Sequence, residues 1–384
     1  MRRLLLFGVA ALLAGCAGDR LTGPASDLTG AEPALRSATA AGELVVMTRN
    51  MYVGAPVEPI LVAAPADVPF RVAEAWATLL ATDFPTRASA MADEIAFRKP
   101  HLIGLQEVSL LRSQFPSDIV VPPGVPPNPI PNATNVEFDY LAGLLAELAS
   151  RGLHYTAVAT IENTDVEVPR FDGVQGGIPI FTDIRLTDYD VILARNDVPV
   201  ANAASGNFAV ALPAPAGIDV LRGWTAVDAT VGGVTVRFVN THLEAEAEIV
   251  RNFQAQELMG ILAFEPKPII LVGDLNTGPG RPAAEGGQAT YDFVLSTGFM
   301  DAWSMKKPAT QNGFTCCHVG DLTNQHPTLR QRIDLVLARG AIGGMLTNAW
   351  IVGNTTGDYS RYGVWPSDHA GVVVRWVFPK GMAE

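Results

Sequence analysis

Past residue 42 the chain alternates short apolar runs with polar breaks. Runs rich in Val, Ile and Leu, bounded by Gly, Pro, Asn or Asp, predict strands at 43–49, 102–106, 154–161, 189–195, 224–230, 233–240, 268–273, 332–338, 347–352 and 370–377. A helical period marks 71–98, with a possible break at Pro85, and also 138–151, 245–263 and 290–297. In the third of these, Ile249, Phe253, Leu258 and Leu262 are expected to line a buried face. Strands apolar on both faces, mixed with helices, predict sheets covered by helices or by each other. No repeat of solenoid length is present. Three stretches, 55–70, 112–136 and 162–187, read as long apolar loops, the middle one carrying seven prolines from Pro116 to Pro131. Loops of this length are usually functional, and the alternative is stiff surface decoration.

The first residues follow a different pattern. Arg2 and Arg3 precede an apolar run from Leu4 to Leu13, which is too short to span a membrane and suits an export signal. The ending Leu13-Ala14-Gly15-Cys16 resembles the bacterial lipoprotein signal, in which the cysteine is acylated after cleavage. The expected organisation is a signal peptide over 1–15, a lipidated flexible tether over 16–42 and one domain over 43–384. Acylated Cys16 would anchor the protein in a lipid membrane, on the periplasmic or surface side of a bacterium, and the tether is rich in Ala, Gly, Ser, Thr and Pro. A soluble secreted protein is the alternative.

Composition narrows the class. The 384 residues are 48% hydrophobic, which excludes disorder and collagen-like repeats, and three cysteines exclude a zinc ribbon or a disulfide-stapled miniprotein. Net charge is −12, and becomes −14 once Arg2 and Arg3 are removed with the signal. With five lysines there is no basic tail, so no strong footprint for non-specific nucleic-acid binding is visible. A local groove from Arg185, Arg195, Arg251 and Arg330 stays open.

Chemistry gathers where apolar strands end. The runs lead to Asn50, to Gln106-Glu107, to Asn240-Thr241-His242 and to Gly273-Asp274-Leu275-Asn276, and later come Arg332-Ile333-Asp334 and Ser367-Asp368-His369. Six such endings predict one sheet rim that holds a site. A P-loop, a zinc-deaminase pair, His-Glu-x-x-His and Gly-x-Ser-x-Gly are all absent. Adjacent Cys316 and Cys317 are expected to form a vicinal disulfide in an oxidising compartment, with buried thiols or pairing to another chain as alternatives.

In this order, the six motifs resemble the endonuclease/exonuclease/phosphatase superfamily, which includes pancreatic-type deoxyribonucleases, abasic-site endonucleases, bacterial sphingomyelinases and inositol polyphosphate 5-phosphatases. The resemblance runs from about residue 43 to 378. It implies an α/β fold, a four-layer sandwich of two mixed β-sheets packed face to face with helices on the outside, with the site at one end. It also implies hydrolysis of a phosphate ester by in-line attack of an activated water. A phosphodiester repels hydroxide, so a divalent cation and hydrogen-bond donors must first neutralise it. Mg²⁺ is expected, with Mn²⁺ or Ca²⁺ possible. Glu107 is expected to supply a hard carboxylate oxygen and Asn50 a neutral one, or a hydrogen bond to that carboxylate. By resemblance Asp368 joins the metal shell, Asp274 activates the water, and Asn276 holds the same neighbourhood. His369 contacts phosphate, oriented by Asp334, and His242 contacts phosphate or protonates the leaving oxygen. Glu162 and Asp190 are candidates for an acidic partner of His242, while an ion pair with Arg332 is the structural alternative for Asp334. Acidity and the tether slightly favour a phospholipid or small-molecule phosphodiester over DNA or RNA. A nuclease is the alternative, and an inactive surface-binding lipoprotein is the alternative of another class.

Overall fold

The computed structural model describes residues 40–379, except 122, 129 and 214–218. The expected signal peptide and most of the expected tether, Cys16 included, lie outside the described residues. In one sheet β14 (Met345–Val352), β15 (Gly371–Pro379), β1 (Ala40–Asn50), β2 (Leu102–Gln114), β5 (Ile178–Arg195) and β4 (Tyr155–Gln175) lie side by side, and β3 (Asn135–Asp139) joins the far end of β2. The other sheet runs β12 (Met300–Asp301), β13 (Asp334–Arg339), β11 (Ile269–Asp274), β10 (Val234–His242), β9 (Gly223–Val231) and β6 (Val200–Asn207). A small ribbon pairs β7 (Leu212–Pro213) with β8 (Asp219–Val220). Both large sheets are mixed: β1 and β2 are parallel, as are β10 and β11, amid antiparallel neighbours.

Strand alternation assigns each apolar residue to a layer. Leu44, Val46, Leu102, Ile270, Val272 and Val336 face the space between the sheets, where they meet Phe238, Val374 and Trp376. Their neighbours Val45, Met47, Ile103 and Leu105 face outward onto α2 (Val68–Ala81), α3 (Phe84–Arg98) and α4 (Tyr140–Ser150), which follow the short α1 (Glu58–Leu61). Ile269, Leu271, Leu335 and Leu337 face α5 (Glu248–Leu262) and α6 (Ala289–Ser296) on the opposite side. Short α7 (Ala302–Lys306) and α8 (Thr356–Tyr362) complete the helices among the described residues. The result is the expected four-layer sandwich. Burial on both faces is why its strands read as near-continuous apolar runs.

The two sheets approach closely at Gly104. A Cβ there would sit 2.5 Å from Val272 Cγ2 and 2.6 Å from Asn240 Oδ1. Beside it a buried polar bridge crosses the seam. Gln106 Nε2 donates to Asn240 Oδ1 at 2.6 Å, and Asn240 Nδ2 donates to the Leu105 carbonyl at 2.9 Å. Asn240 thus ties one sheet to the other.

Several expected boundaries move. The stretch 162–187 is the body of the long β4–β5 hairpin, closed by Gly176 and Gly177, both with positive φ. It reads as a loop because polar pairs, Glu167 opposite Arg185 and Asp165 opposite Thr187, interrupt the apolar pairs Val166–Leu186 and Val168–Ile184. The stretch 55–70 contains α1 and the start of α2. The helical pattern at 71–98 breaks at Thr82-Asp83, and Pro85 falls in the first turn of α3, where its missing N–H costs nothing. On α5, Ile249 and Phe253 are 67% and 48% exposed, so the buried face is rotated from the expected one. Val250, Arg251 and Gln254 take their place, because Arg251 donates to the carbonyls of Glu244, Ala245 and Gly286.

Candidate active site

Strand register builds the site. On parallel β10 and β11, His242 lies opposite Asp274, and on antiparallel β11 and β13, Asp274 lies opposite Asp334. These three therefore form one row across neighbouring strands. Gly273 permits the row to end there, since a Cβ at its φ of +151° would sit 1.9 Å from the Thr241 carbonyl oxygen. In the other sheet Asn50 ends β1 opposite Gln106. The β2–β5 register shifts between Leu105 and Val108, and Glu107 takes a left-handed φ of 55°. That bulge keeps Gln106 in the seam and turns Glu107 toward the rim. Asn276, with φ 50°, is a second left-handed residue in the site.

Hydrogen bonds join the two halves. Asn50 Nδ2 donates to Glu107 Oε1 at 2.8 Å and to Asp274 Oδ2 at 3.2 Å, while its Oδ1 accepts the Tyr52 N–H at 2.8 Å. Asn50 thus presents its amide NH₂ to both carboxylates, which is the hydrogen-bonding form of its two expected roles. Glu107 Oε2 accepts the Val53 N–H at 2.9 Å. Asp274 Oδ1 accepts the Asn276 N–H at 2.9 Å, and Asn276 Nδ2 donates to the Leu243 carbonyl at 3.0 Å. His369 Nδ1 lies 2.8 Å from Asp334 Oδ2 and 3.7 Å from Asp274 Oδ2. Its own carbonyl accepts from Arg49, a wholly buried arginine paired with Glu94 of α3 at 3.1 Å.

The two histidines are held in opposite charge states. Burial disfavours imidazolium at His369, but Asp334, Asp368 and Asp274 together outweigh it and hold the pKa well above the ordinary value. At His242 burial, Arg222 and His369 all act downward, so the ring is neutral. Arg222 Nη1 lies 2.9 Å from His242 Nδ1. A guanidinium only donates, so Nδ1 is the acceptor of that pair, while Nε2 lies 3.2 Å from Asn276 Nδ2 and 3.6 Å from Asp274 Oδ2. The partner of His242 is therefore a cation. Glu162 instead lies near the Tyr189 hydroxyl, and Asp190 is a buried neighbour of Asp188. Arg222, in turn, lies 3.9 Å from Asp188.

The carboxylates carry more negative charge than the site neutralises. Burial, then Asp334, pushes Asp274 up to about 6 against the pull of His369. Burial, with Glu107 adding to it against His369, pushes Asp368 to about 7. Asp334 Oδ1 is buried with no hydrogen-bond partner. Ligand-type atoms of Asp274, Asp334 and His369 lie within 4.8 Å of one another. Surplus buried carboxylate with an unpaired oxygen fits a divalent cation, whose identity the donor set leaves open. This cluster differs from the expected trio of Glu107, Asn50 and Asp368. Asn50 links the two groups.

A cavity of about 530 Å³ opens from these groups. At one end stand Glu107, His242, Asp274, Asn276, Asp368 and His369 with Arg222 and Arg281. The other end is apolar: Val57, Ile60 and Leu61 near α1, Val72, Trp76 and Leu79 of α2, Val166 and Val168 of β4, Ile184 and Leu186 of β5. Two of the three apolar stretches thus line it, and 112–136 contributes no lining residue among those described. Three of the four arginines expected to form a groove are committed elsewhere: Arg185 to Asp165, Arg195 to Asp197, Arg251 to backbone carbonyls. Arg332 pairs with Asp301 at 2.7 Å, leaving Asp334 to His369. Cys316 and Cys317 are a bonded neighbouring pair lining the cavity, and Cys316 bridges to His369 in the backbone. Sequence reasoning missed Arg222, Arg281 and Asp188. An arginine just before β9 carries no motif, and only the fold brings it to His242.

A family model for the endonuclease/exonuclease/phosphatase family matches residues 79–369, about three quarters of the chain. No curated protein matches significantly. Among solved structures, a family protein from Bacteroides thetaiotaomicron is 17% identical, with 88% of this chain and 98% of that chain covered and a TM-score of 0.48. One from Bacteroides vulgatus is 15% identical, with 87% and 98% covered and a TM-score of 0.49. One from Beutenbergia cavernae is 21% identical, with 88% and 72% covered and a TM-score of 0.49. By the extent of the family match, the chain belongs to the endonuclease/exonuclease/phosphatase family.

Proposed function

We propose that this protein is a divalent-metal-dependent phosphodiesterase that cleaves a polynucleotide. Family membership and the carboxylate–histidine cluster support metal-dependent hydrolysis of a phosphate ester. The family's description names endonucleases and exonucleases, which favours the nucleic-acid reading over the phospholipid preference drawn from composition. Glu107 and Asp368 would hold the cation, which would supply charge neutralisation and Lewis acidity.

The chain's own groups do the rest. Asp274, raised to about 6, is a base poised near neutral pH to take the proton of the attacking water. Asn276 fixes that carboxylate through its backbone N–H. His369, kept charged by Asp334, presents its free Nε2–H to a phosphate oxygen, and Arg222 and Arg281 add positive charge in the same cavity. As the water oxygen bonds to phosphorus, the bond to the leaving oxygen breaks opposite it, and that oxygen takes a proton. The single observation carrying this reading is the His242–Asp274–Asp334 row, bridged to Glu107 by Asn50.

The apolar end of the cavity favours a second reading, an ester with an apolar group such as a phospholipid. Mg²⁺-dependent hydrolysis of plasmid DNA and of mixed phospholipid vesicles separates the two. DNA cleavage is expected, reduced at least about 10²-fold by Asp274→Ala. Headgroup release with intact DNA would replace the nuclease with the lipid reading, and no hydrolysis of either would favour the surface-binding alternative. We also propose export and acylation at Cys16. Cys16→Ala is expected to release the protein from the membrane fraction, and an unchanged distribution would remove the anchor.

A further inference from the structure

Cys316 and Cys317 bring two sulfurs to the active-site cavity, where hydrolysis of an ester has no use for them. Ligand-type atoms of Cys316, Cys317 and His369 lie within 4.8 Å of one another. Cys316 is buried, and all three residues line the cavity. The segment that carries the pair is pinned on both sides by hydrogen bonds to the backbone. Cys316 and Gln331 exchange N–H···O bonds of 3.0 and 2.9 Å. The Ala370 N–H donates to the Thr315 carbonyl at 2.7 Å, and the His318 N–H donates to the Asp368 carbonyl at 2.8 Å. Thr328 Oγ1 donates to the Cys317 carbonyl at 2.9 Å. None of these bonds involves sulfur, so they keep both cysteines beside His369 when the S–S bond opens.

As a disulfide the pair offers no thiolate. As thiols the same two residues, with an imidazole, make the sulfur–nitrogen donor set that suits zinc and not magnesium. His369 is already oriented as a metal-ligating histidine is. Its Nδ1 lies 2.8 Å from Asp334 Oδ2, which fixes the ring and leaves Nε2 for the cavity. Zn–S bonds of about 2.3 Å and Zn–N bonds of about 2.0–2.1 Å suit ligand atoms this close together.

We propose that Cys316 and Cys317, once reduced, bind a zinc-class cation together with His369 and so shut the active site. A dithiol reductant opens the S–S bond: it closes into its own disulfide, and its two electrons and two protons pass to the two sulfurs. Zn²⁺ then bonds to both sulfurs and to Nε2, and three protons leave, one from each thiol and one from the imidazolium. The two thiolates cancel the charge of the ion, and a water completes the tetrahedron, as in other sites with two Cys and one His. Glu107 and Asp368 offer hard oxygens, so the two sites select different metals. A metal on Nε2 removes the N–H that meets the phosphate, and reoxidation of the pair restores it. The shut-off rests on the phosphate contact proposed for His369, whereas the metal site does not.

The full chain carrying Cys16→Ala tests this, because Cys316 and Cys317 are then its only cysteines. It is titrated calorimetrically with ZnCl₂ in the oxidised form, and again after reduction with dithiothreitol and desalting under nitrogen. The reduced form is expected to bind one more equivalent of Zn²⁺ than the oxidised form, and Cys317→Ser to abolish that increment. With one equivalent of ZnCl₂ added, Mg²⁺-dependent cleavage of plasmid DNA is expected to fall at least about tenfold further in the reduced form than in the oxidised one. The comparison of redox forms needs no variant to fold, and the titration reads binding without hydrolysis, so its outcome is separate from that of the nuclease reading. Equal zinc stoichiometry in the two forms, an increment that survives Cys317→Ser, or equal inhibition of both forms would each overturn the proposal.

Discussion

His369 and His242 lie in one buried cleft yet differ in charge because of what faces each ring: carboxylates for the first, a guanidinium for the second. A histidine whose pKa is raised keeps its proton at neutral pH and loses it only as pH climbs through the raised value. Activity that needs charged His369 therefore falls on the alkaline side. Asp334→Asn removes the carboxylate 2.8 Å away, so the alkaline limb of the kcat/KM profile is expected to move to lower pH by about one pH unit or more. A rate loss with that limb unmoved would show that Asp334 only fixes the ring's position. Asp274, His242 and His369 were legible in the sequence because polar groups at the ends of apolar runs collect on one rim. Arg222 was not, since the Gly232-Gly233 turn announces the β9–β10 hairpin but not that a residue just before β9 meets His242.

At the scale of elements, the central strands were legible for the reason that they are buried on both faces: Val45-Val46-Met47 and Ile269-Ile270-Leu271-Val272 leave no solvent face to carry polar residues. The β4–β5 hairpin was not, because polar pairs such as Glu167–Arg185 alternate with apolar ones such as Val168–Ile184 and break the apolar run. The α5 face was misjudged because Arg251 and Gln254 are buried to satisfy carbonyls. The close approach of the two sheets at Gly104 gives a prediction. Gly104→Ala adds a methyl where 2.5 Å of room exists, and overpacking is expected to cost about 1–3 kcal/mol. Urea unfolding should show a lower midpoint with an unchanged slope. An unchanged midpoint would mean that the seam yields freely.

For the whole molecule, order along the chain and order in space diverge. β1 sits between β2 and β15, so the sheet carrying Glu107 needs both ends of the domain. The four-layer arrangement was accessible through resemblance. Burial alternation along single strands then explains it physically, since Leu44 and Val46 serve one interface while Val45 and Met47 serve another. The net charge of −12 coexists with Arg222 and Arg281 standing in the cavity, so overall charge does not describe the charge at the site. The Asn50 bridge from Glu107 to Asp274 has a wider consequence. The turn between Arg195 and Val200 carries the chain from one sheet to the other. A nick there divides the site as well: Asn50 and Glu107 fall on one fragment, and His242, Asp274, Asp334 and His369 on the other. Each fragment lacks part of the site, so hydrolysis is expected only from the reassembled pair and becomes a complementation signal for β15 rejoining β1 as well as for the packing of one sheet on the other.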